Sequence, residues 1–251
     1  ADGYDPGLIR VADPDEQQRR LLAERFGITV SSGSTEALAG AEVVVLAVKP
    51  QTMKAVAEEL AAQLPGPPPL IISIAAGIRE QDLERWLGGT PPLVRAMPNT
   101  PAMVQCGATA LHANERVSRR QRDLAEFVMR AVGLTVWLED ESLMDAVTAL
   151  SGSGPAYIFL VMEAMERAGC KLGLPQETAR LLTLQTTFGA AKLALETAED
   201  SATLRQRVTS PGGTTERALS VLQGGGLEEL FEQALKAAHD RAVELARLLG
   251  E

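Results

Sequence analysis

Two glycine-rich turns with hydroxyl residues carry the clearest chemical signal in this sequence. The first covers residues 208–216, Val-Thr-Ser-Pro-Gly-Gly-Thr-Thr-Glu, and stands directly before a helical pattern. Gly212 and Gly213 permit a tight turn, and the helix that follows offers unpaired amides and the positive end of its dipole. The pattern predicts a site for a small carboxylate. The alternative is an ordinary helix start whose orphan amides are capped by Thr214 or Thr215.

A second turn of this kind, Ser-Gly-Ser-Gly-Pro-Ala-Tyr at residues 151–157, leads into a long apolar helical pattern. Three further motifs come earlier: Ala-Val-Lys-Pro at 47–50, Ser-Ile-Ala-Ala-Gly at 73–77 and Met-Pro-Asn-Thr-Pro at 97–101. In order and spacing, the five motifs together resemble the pyrroline-5-carboxylate reductase family, which reduces a cyclic imine in the last step of proline biosynthesis. The resemblance extends from about Leu8 to the C-terminus.

The hydrophobic pattern divides the chain into two parts. Short β-rich runs alternate with helical stretches in the first part, and the continuous apolar runs at 43–48 and 70–74 are typical of parallel strands covered by helices on both faces. The second part shows long helical patterns and almost no strand signal. We therefore predict an α/β fold: a doubly wound, Rossmann-like dinucleotide-binding domain at 1–139, followed by an all-α dimerisation and substrate domain at 140–251.

Ligands of doubly wound folds lie at the carboxyl ends of the strands, where each strand gives way to a loop. Several of the motifs follow predicted strands, and the resemblance implies that these turns line the dinucleotide and its nicotinamide end. The alternative is that Pro and Gly merely end strands there. The cofactor-binding residues predicted in this way are Asp13, Ser34, Ala47, Val48, Lys49, Pro50, Ala75, Ala76, Asn99 and Thr100.

Asp13 bears on the choice between NADH and NADPH. An acidic residue after the second strand of such a fold accepts hydrogen bonds from the adenosine ribose and repels a 2′-phosphate, which favours NADH. Arg10, Arg19 and Arg20 lie close in sequence, and the family mostly prefers NADPH, so both cofactors stay open. The alternative role of Asp13 is to cap a helix ahead of Pro14.

A first strand and its Gly-rich phosphate loop precede the segment at Leu8 in the family, and this sequence contains neither. That strand lies in the middle of a doubly wound sheet, so its loss would uncover apolar faces and open strand edges. We therefore expect the sequence to be truncated or incompletely recorded. A molecule without this segment is expected to bind its cofactor weakly.

Two helical patterns of the second part are too apolar for ordinary surface helices. Residues 155–168 are apolar nearly all round, and residues 178–195 add small side chains that let helices approach closely. A domain of about 110 residues seldom encloses two such helices alone, so we expect burial against a second copy; the alternative is a compact monomeric bundle. The resemblance implies an intertwined homodimer, often assembled further into a decamer.

The resemblance also assigns roles within the turn at 208–216. Ser210 and the amides of residues 212–215 would hold the carboxylate of 1-pyrroline-5-carboxylate, and the hydroxyl of Thr215 would bind the ring nitrogen as the catalytic group. No strong base is required, because the protonated imine is already electrophilic and positioning supplies most of the catalysis. The predicted substrate-binding residues are Ser210, Gly212, Gly213, Thr214 and Thr215.

Two other functions fit part of the pattern. A β-hydroxyacid dehydrogenase carries a catalytic lysine after a Gly-rich segment, but Ile158 occupies roughly that position here, which leaves alcohol oxidation without its base. A non-catalytic dimeric scaffold or small-molecule sensor is the second alternative. The missing phosphate loop is its only support.

Charge and composition restrict the partners. The net charge of −9 and the pI of 4.9 argue against a nucleic-acid partner. The chain has no apolar run of about 18 residues, so we expect a soluble, cytoplasmic protein without a membrane span. The cysteines Cys106 and Cys170 and the histidines His112 and His239 lack the spacing of a zinc site, so we expect no metal and two buried thiols.

Overall fold

A computed structural model of the protein describes residues 4–251. The chain packs into two compact units: the first extends to Gly152 and also includes Ala238–Glu251, and the second is Ser153–Ala237. These units are defined by packing, and the functional division that we place at residue 139 stays a prediction. None of the helices in residues 4–251 combines the length and the apolar character needed to cross a membrane.

The first unit contains two sheets. In the smaller sheet, β1 (Arg10–Ala12) pairs in parallel with β2 (Thr29–Ser31). The larger sheet has five strands in sequence order: β3 (Val43–Leu46), β4 (Leu70–Ser73), β5 (Leu93–Met97), β6 (Gly107–Ala113) and β7 (Gly133–Trp137). Its neighbouring strands are parallel, apart from the antiparallel pair β5 and β6.

Helices connect the strands and then form the whole of the second unit. The helices up to the end of the sheet region are α1 (Glu16–Phe26), α2 (Ser34–Leu38), α3 (Pro50–Ala61), α4 (Glu80–Trp86), α5 (Arg119–Arg130) and α6 (Met144–Val147). Short 3₁₀ turns occupy Pro6–Leu8, Thr100–Val104 and Glu141–Leu143, and a π-helical turn occupies Thr148–Gly152. The later helices are α7 (Gly154–Lys171), α8 (Gln176–Glu196), α9 (Ser201–Arg207), α10 (Thr214–Gly224) and α11 (Leu227–Leu249).

Strand β4 is buried on both faces, because Leu70, Ile71 and Ile72 are each 0% exposed. Ile71 belongs to an apolar core that includes residues of α3 and α4, whereas Leu70 and Ile72 belong to a second core with residues of α5. Successive side chains of a strand point to opposite faces, so helices cover both faces of this sheet. The predicted Rossmann-like α/β region followed by a helical region is confirmed.

The last two strands were missed by sequence reasoning. Strand β6, Gly-Ala-Thr-Ala-Leu-His-Ala, consists largely of small residues of low β-propensity, which gave no strand signal. The ladder between β6 and β5 is antiparallel, and the sequence contained no signal of this. Antiparallel edge strands on a mostly parallel sheet are common, and here α5 returns the chain to place β7 parallel to β6.

The apolar helices of the second unit are exposed in the single chain. Helix α7 has no buried residue, and Phe159 on it is 63% exposed; in α8, Phe188 is 59% exposed. One chain alone does not bury these helices, so their apolar faces are available to a second copy, which the expectation of burial against a second copy requires. Cys106 and Cys170 are exposed as well, so the prediction of buried thiols is wrong for the single chain.

Candidate active site

Three of the predicted cofactor loops meet at one edge of the larger sheet. Strands β3, β4 and β5 are parallel neighbours, with Leu46 opposite Ser73 and Ser73 opposite Arg95, so their carboxyl ends lie side by side. This is the position at which open α/β sheets bind ligands. The loops after these strands contain Ala47, Val48, Lys49, Pro50, Ala75, Ala76, Asn99 and Thr100.

The residues at this edge suit an anionic dinucleotide. Lys49 is exposed and precedes α3, whose first turn has no side-chain cap, and Pro50 occupies its first position. An ammonium group beside uncapped helix amides is a favourable place for a phosphate. Ala75 and Ala76 have short side chains that allow close approach to the backbone, and the amide of Ala75 donates to Ser73 Oγ at 3.4 Å. A dinucleotide therefore fits the donor set present here.

Asp13 and Ser34 lie at the smaller sheet, just after β1 and β2. Helix α1 is capped by Asp15, whose carboxylate accepts from the amide of Gln17 at 2.8 Å, so the alternative role of Asp13 as the helix cap is wrong. The half-buried Asp13 instead accepts from the amide of Asp15 at 2.8 Å. The hydroxyl of Ser34 donates its hydrogen bond to the carboxylate of Glu59 within the chain.

Asn99 connects two of the motifs. Its Oδ1 accepts from the amide of Ala108 at 2.9 Å, and its Nδ2 donates to the carbonyl of Ser151 at 3.1 Å. The motif at 97–101 therefore touches the start of the motif at 151–157. Sequence reasoning placed the motif at 97–101 among the cofactor loops but contained no signal that it contacts the motif at 151–157.

The turn before α10 has the tight geometry that its glycines predict. Gly212 adopts a φ of +72°, and the amide of Gly213 donates to the carbonyl of Ser210 at 3.0 Å. A Cβ at Gly213 would lie 2.9 Å from that carbonyl oxygen, so the turn has no room for a larger residue. The amide of Gly212 donates to Glu216 Oε2 at 2.8 Å, so the side-chain carboxylate of Glu216 lies at this turn.

Helix α10 begins at Thr214, and its cap residue, Gly213, provides no side-chain hydrogen bond. The alternative in which Thr214 or Thr215 caps the helix is therefore wrong. The amides of Thr214 and Thr215 stand in the first turn, where backbone N–H groups have no partner within the helix. Thr214 is exposed and Thr215 is half-buried, so a small anion can reach this helix start.

A cluster of charged residues at strands β5 and β6 was not predicted from the sequence. Arg95 on β5 and His112 on β6 face each other in the antiparallel ladder, and Arg95 Nη1 donates to Glu141 Oε1. His112 Nδ1 lies 3.4 Å from Glu80 Oε2, and the amide of Glu80 donates to Glu141 at 2.7 Å. Burial, followed by the nearby charge of Glu141, raises the pKa of Glu80 to about 7. The four residues of this cluster are far apart in sequence, so no local sequence pattern indicates the cluster.

Within residues 4–251, no group of three or more His, Cys, Asp or Glu side chains is placed to hold a metal ion. What the described residues offer instead is a strand edge for a dinucleotide and a helix start for a carboxylate. Each of these elements can position one reactant.

Comparisons with family models match both parts of the chain. Residues 141–245 match the family described as pyrroline-5-carboxylate reductase dimerisation. Residues 1–77 match the family described as NADP oxidoreductase, coenzyme F420-dependent. The first match covers α7 to α10 and most of α11, and shows that the chain forms homo-oligomers.

Individual relatives agree with these matches. The pyrroline-5-carboxylate reductase of Pseudomonas aeruginosa is 54% identical over 251 residues, which are 100% of this chain and 92% of the relative. The solved pyrroline-5-carboxylate reductase of Coxiella burnetii superimposes with a TM-score of 0.94 at 50% identity, covering 97% of this chain and 90% of that one. The Plasmodium falciparum pyrroline carboxylate reductase with NADP bound has a TM-score of 0.79 at 29% identity, covering 87% of this chain and 82% of that one. This chain belongs to the pyrroline-5-carboxylate reductase family.

Proposed function

We infer that this protein reduces 1-pyrroline-5-carboxylate to L-proline with NADPH or NADH as the hydride donor, the last step of proline biosynthesis. The observation that carries the inference is 54% identity to a pyrroline-5-carboxylate reductase along the whole chain. The strand-end loops and the glycine-rich turn provide the two chemical requirements of the reaction, a dinucleotide edge and a carboxylate site.

The substrate site that we propose is the turn before α10. The substrate carboxylate accepts hydrogen bonds from the first-turn amides of Thr214 and Thr215, with Ser210 as a further donor, and the helix dipole favours its negative charge. Gly212 and Gly213 belong to this site as the residues that shape the turn, since their own amides are engaged by Glu216 and Ser210. The turn thus orients one end of the substrate ring.

We propose Thr215 as the catalytic residue. Its hydroxyl hydrogen-bonds the ring nitrogen, and because the same residue presents an amide to the carboxylate, it holds the ring at two points. The iminium carries its proton on that nitrogen, and the amine product keeps it, so Thr215 positions the proton and no strong base is needed. The dinucleotide, when bound, supplies the hydride that reduces the imine carbon.

The cofactor site that we propose has two parts. The loops after β3, β4 and β5 hold the phosphates and the nicotinamide end, through Lys49 and the small residues around it. Asp13 and Ser34, after β1 and β2, stand at the adenosine ribose. The proposed cofactor-binding residues are Asp13, Ser34, Ala47, Val48, Lys49, Pro50, Ala75, Ala76, Asn99 and Thr100.

We propose an intertwined homodimer in which α7 and α8 of one copy cover those of the other, with a decamer as the further assembly. The support for this is the match of residues 141–245 to the dimerisation family and the exposed apolar residues of both helices. Burial of such side chains stabilises an assembly by about 25 cal/mol for each Å² removed from water.

The decisive experiment compares the wild-type protein with Thr215→Ala in a 340 nm assay containing 1-pyrroline-5-carboxylate and NADPH or NADH. We expect kcat to fall by about a hundredfold, because the group that holds the ring nitrogen is lost, while the dissociation constant of the cofactor is unchanged. Thr214→Ala is the matched control, since it removes a neighbouring hydroxyl and keeps the amide.

Two results would contradict the proposal in different ways. An unchanged rate in Thr215→Ala would remove this residue from the site while leaving the reaction intact. No substrate-dependent oxidation of either cofactor by the wild-type protein would contradict the reaction itself. Oxidation of a 3-hydroxy acid with NAD⁺ or NADP⁺ would then favour the β-hydroxyacid dehydrogenase alternative.

A further inference from the structure

The side chain of Asn99 joins the loop after β5 to two other segments of the first unit. Its Oδ1 accepts from the amide of Ala108, at the start of β6, and its Nδ2 donates to the carbonyl of Ser151. The partners fix the orientation of this amide, because a backbone N–H can only donate and a carbonyl can only accept. A carboxylate, a hydroxyl or an apolar side chain cannot make both contacts in this geometry.

The π-helical turn Thr148–Gly152 makes a second, independent contact with the end of β5, from which this loop starts. A Cβ built on Gly152 would lie 2.6 Å from Met97 Cε, so the methionine side chain packs against the bare backbone of this glycine. Met97 is the last residue of β5 and lies two residues before Asn99, so the π-helical turn contacts this segment both at Met97 and at Asn99. We call Met97, Asn99, Ser151 and Gly152 the Asn99 joint.

The π-helical turn itself is held by its own hydroxyl groups. Thr148 Oγ1 donates to the carbonyl of Met144 at 2.8 Å, and Ser151 Oγ donates to the carbonyl of Val147 at 3.2 Å. Carbonyl groups at the end of a helical segment have no hydrogen-bond donor within that segment, and the side-chain amide of Asn99 is the donor for the carbonyl of Ser151. Single π-helical turns are rare and occur frequently at functional sites. The joint therefore couples an unusual backbone turn to the loop at the cofactor edge.

We propose that Asn99 is a positioning residue, whose side-chain amide fixes the loop after β5 against the π-helical turn so that the nicotinamide end of the cofactor is held in register for hydride transfer. This inference rests on the proposed function, because it assigns to Asn99 a role in that reaction. Asn99 belongs to the proposed cofactor site through its backbone, because both ends of its side-chain amide are engaged within the protein.

The test replaces Asn99 by its isostere. Asn99→Asp keeps an acceptor for the amide of Ala108 but places a carboxylate oxygen against the carbonyl of Ser151, which removes the second contact. We expect kcat to fall by about tenfold to a hundredfold, as a displacement of the order of 1 Å does in enzymes. The dissociation constant of the reduced dinucleotide, measured by its fluorescence, should change by less than about threefold.

Asn114 provides a matched control at the other end of β5. Its Oδ1 accepts from the amide of Leu93 at 3.2 Å, and its Nδ2 donates to the carbonyl of Pro91 at 2.9 Å, so it makes the same kind of bridge. Asn114→Asp should lower the melting temperature at least as much as Asn99→Asp, because Asn114 is only 7% exposed. Its kcat per folded protein should stay at the wild-type value.

A second variant covers the case in which Asn99→Asp does not fold. Gly152→Val pushes against Met97 Cε while Asn99 stays intact, and it should lower kcat with little change in cofactor affinity. Adding Met97→Ala should restore at least part of that loss, because it removes the clashing atom. No loss in Gly152→Val would overturn the proposal.

The remaining outcomes separate the proposal from its rivals. A tenfold weaker cofactor affinity with normal kcat in Asn99→Asp would make the side chain a direct cofactor ligand and overturn the proposal. A lower melting temperature with normal kcat would reduce the joint to a purely structural contact. If the wild-type protein reduces no pyrroline-5-carboxylate, the proposed function fails separately. Hydrogen exchange then tests the joint: unchanged exchange at residues 148–154 in Asn99→Asp would disprove it.

Discussion

Glu80 is the residue whose ionisation should make the stability of this protein depend on pH near neutrality. Its carboxylate is 21% exposed and faces Glu141, Glu84, Glu115 and His112, with Arg95 as the neighbouring cation. Burial first, and then the charge of Glu141, raises its pKa from 4.5 to about 7. Replacing this carboxylate by a neutral amide of the same shape, Glu80→Gln, should therefore stabilise the protein at high pH.

The sign follows from proton binding. Between about pH 4.5 and about pH 7 the folded protein keeps a proton on Glu80 that the unfolded chain releases, so the free energy of unfolding falls as the pH rises through this window. Above about pH 7 both states have lost the proton, and the penalty is constant. Glutamine resembles the protonated form at every pH. Glu80→Gln should therefore match the wild type near pH 4.5 and exceed its stability above about pH 7.

The magnitude follows from the size of the pKa change. A rise from 4.5 to about 7 corresponds to about 3.4 kcal/mol, at 1.36 kcal/mol for each pH unit. Solvent reaches part of the carboxylate and screens its charge, so we expect a gain of about 1–2 kcal/mol in Glu80→Gln at about pH 8.

The assay is urea denaturation of the wild type and the variant at several pH values and one protein concentration, because oligomerisation makes stability depend on concentration. Glu58→Gln is the control, since Glu58 is an exposed glutamate on α3. If the free energy of unfolding of Glu80→Gln changed with pH in parallel with that of the wild type between about pH 4.5 and about pH 7, the reasoning would be refuted, because the titrating group would then be another residue. Destabilisation at about pH 8 would refute it as well.

Three further predictions concern the backbone, the cofactor and the assembly. Gly133→Ala should destabilise the first unit by about 3 kcal/mol in urea denaturation, because the added Cβ would lie 2.0 Å from the carbonyl oxygen of Gly107 and neither backbone segment can yield. Asp13→Asn should raise the ratio of kcat/KM for NADPH over NADH by about tenfold, because it removes the charge that repels a 2′-phosphate; an unchanged ratio would exclude Asp13 from the ribose site. Phe159→Asp should yield monomers in light scattering, because an unpaired carboxylate cannot be buried between helices, whereas Leu21→Asp on α1 should leave the assembly unchanged.

The sequence alone determined those features that depend on neighbouring residues. The apolar segment at 178–195 predicted α8 to within two residues, and the continuous apolar run at 70–74 predicted β4. The glycines at 212 and 213 predicted a tight turn at a helix start, because Gly212 adopts a positive φ and a Cβ at Gly213 would lie 2.9 Å from the carbonyl oxygen of Ser210. The order of the five motifs was enough to identify the family.

The tertiary structure decided everything that depends on residues distant in sequence. Strand β6 forms although its residues have a weak β-propensity, because the neighbouring strands β5 and β7 pair with it, and no local pattern in the sequence indicates this pairing. The pairing of Asn99 with Ser151, and the meeting of Glu80 with His112, arise because β5, β6 and the turns beside them fold onto each other. Hydrogen bonds and pKa changes act over a few ångströms in space, so they become visible only when the fold has brought these groups together.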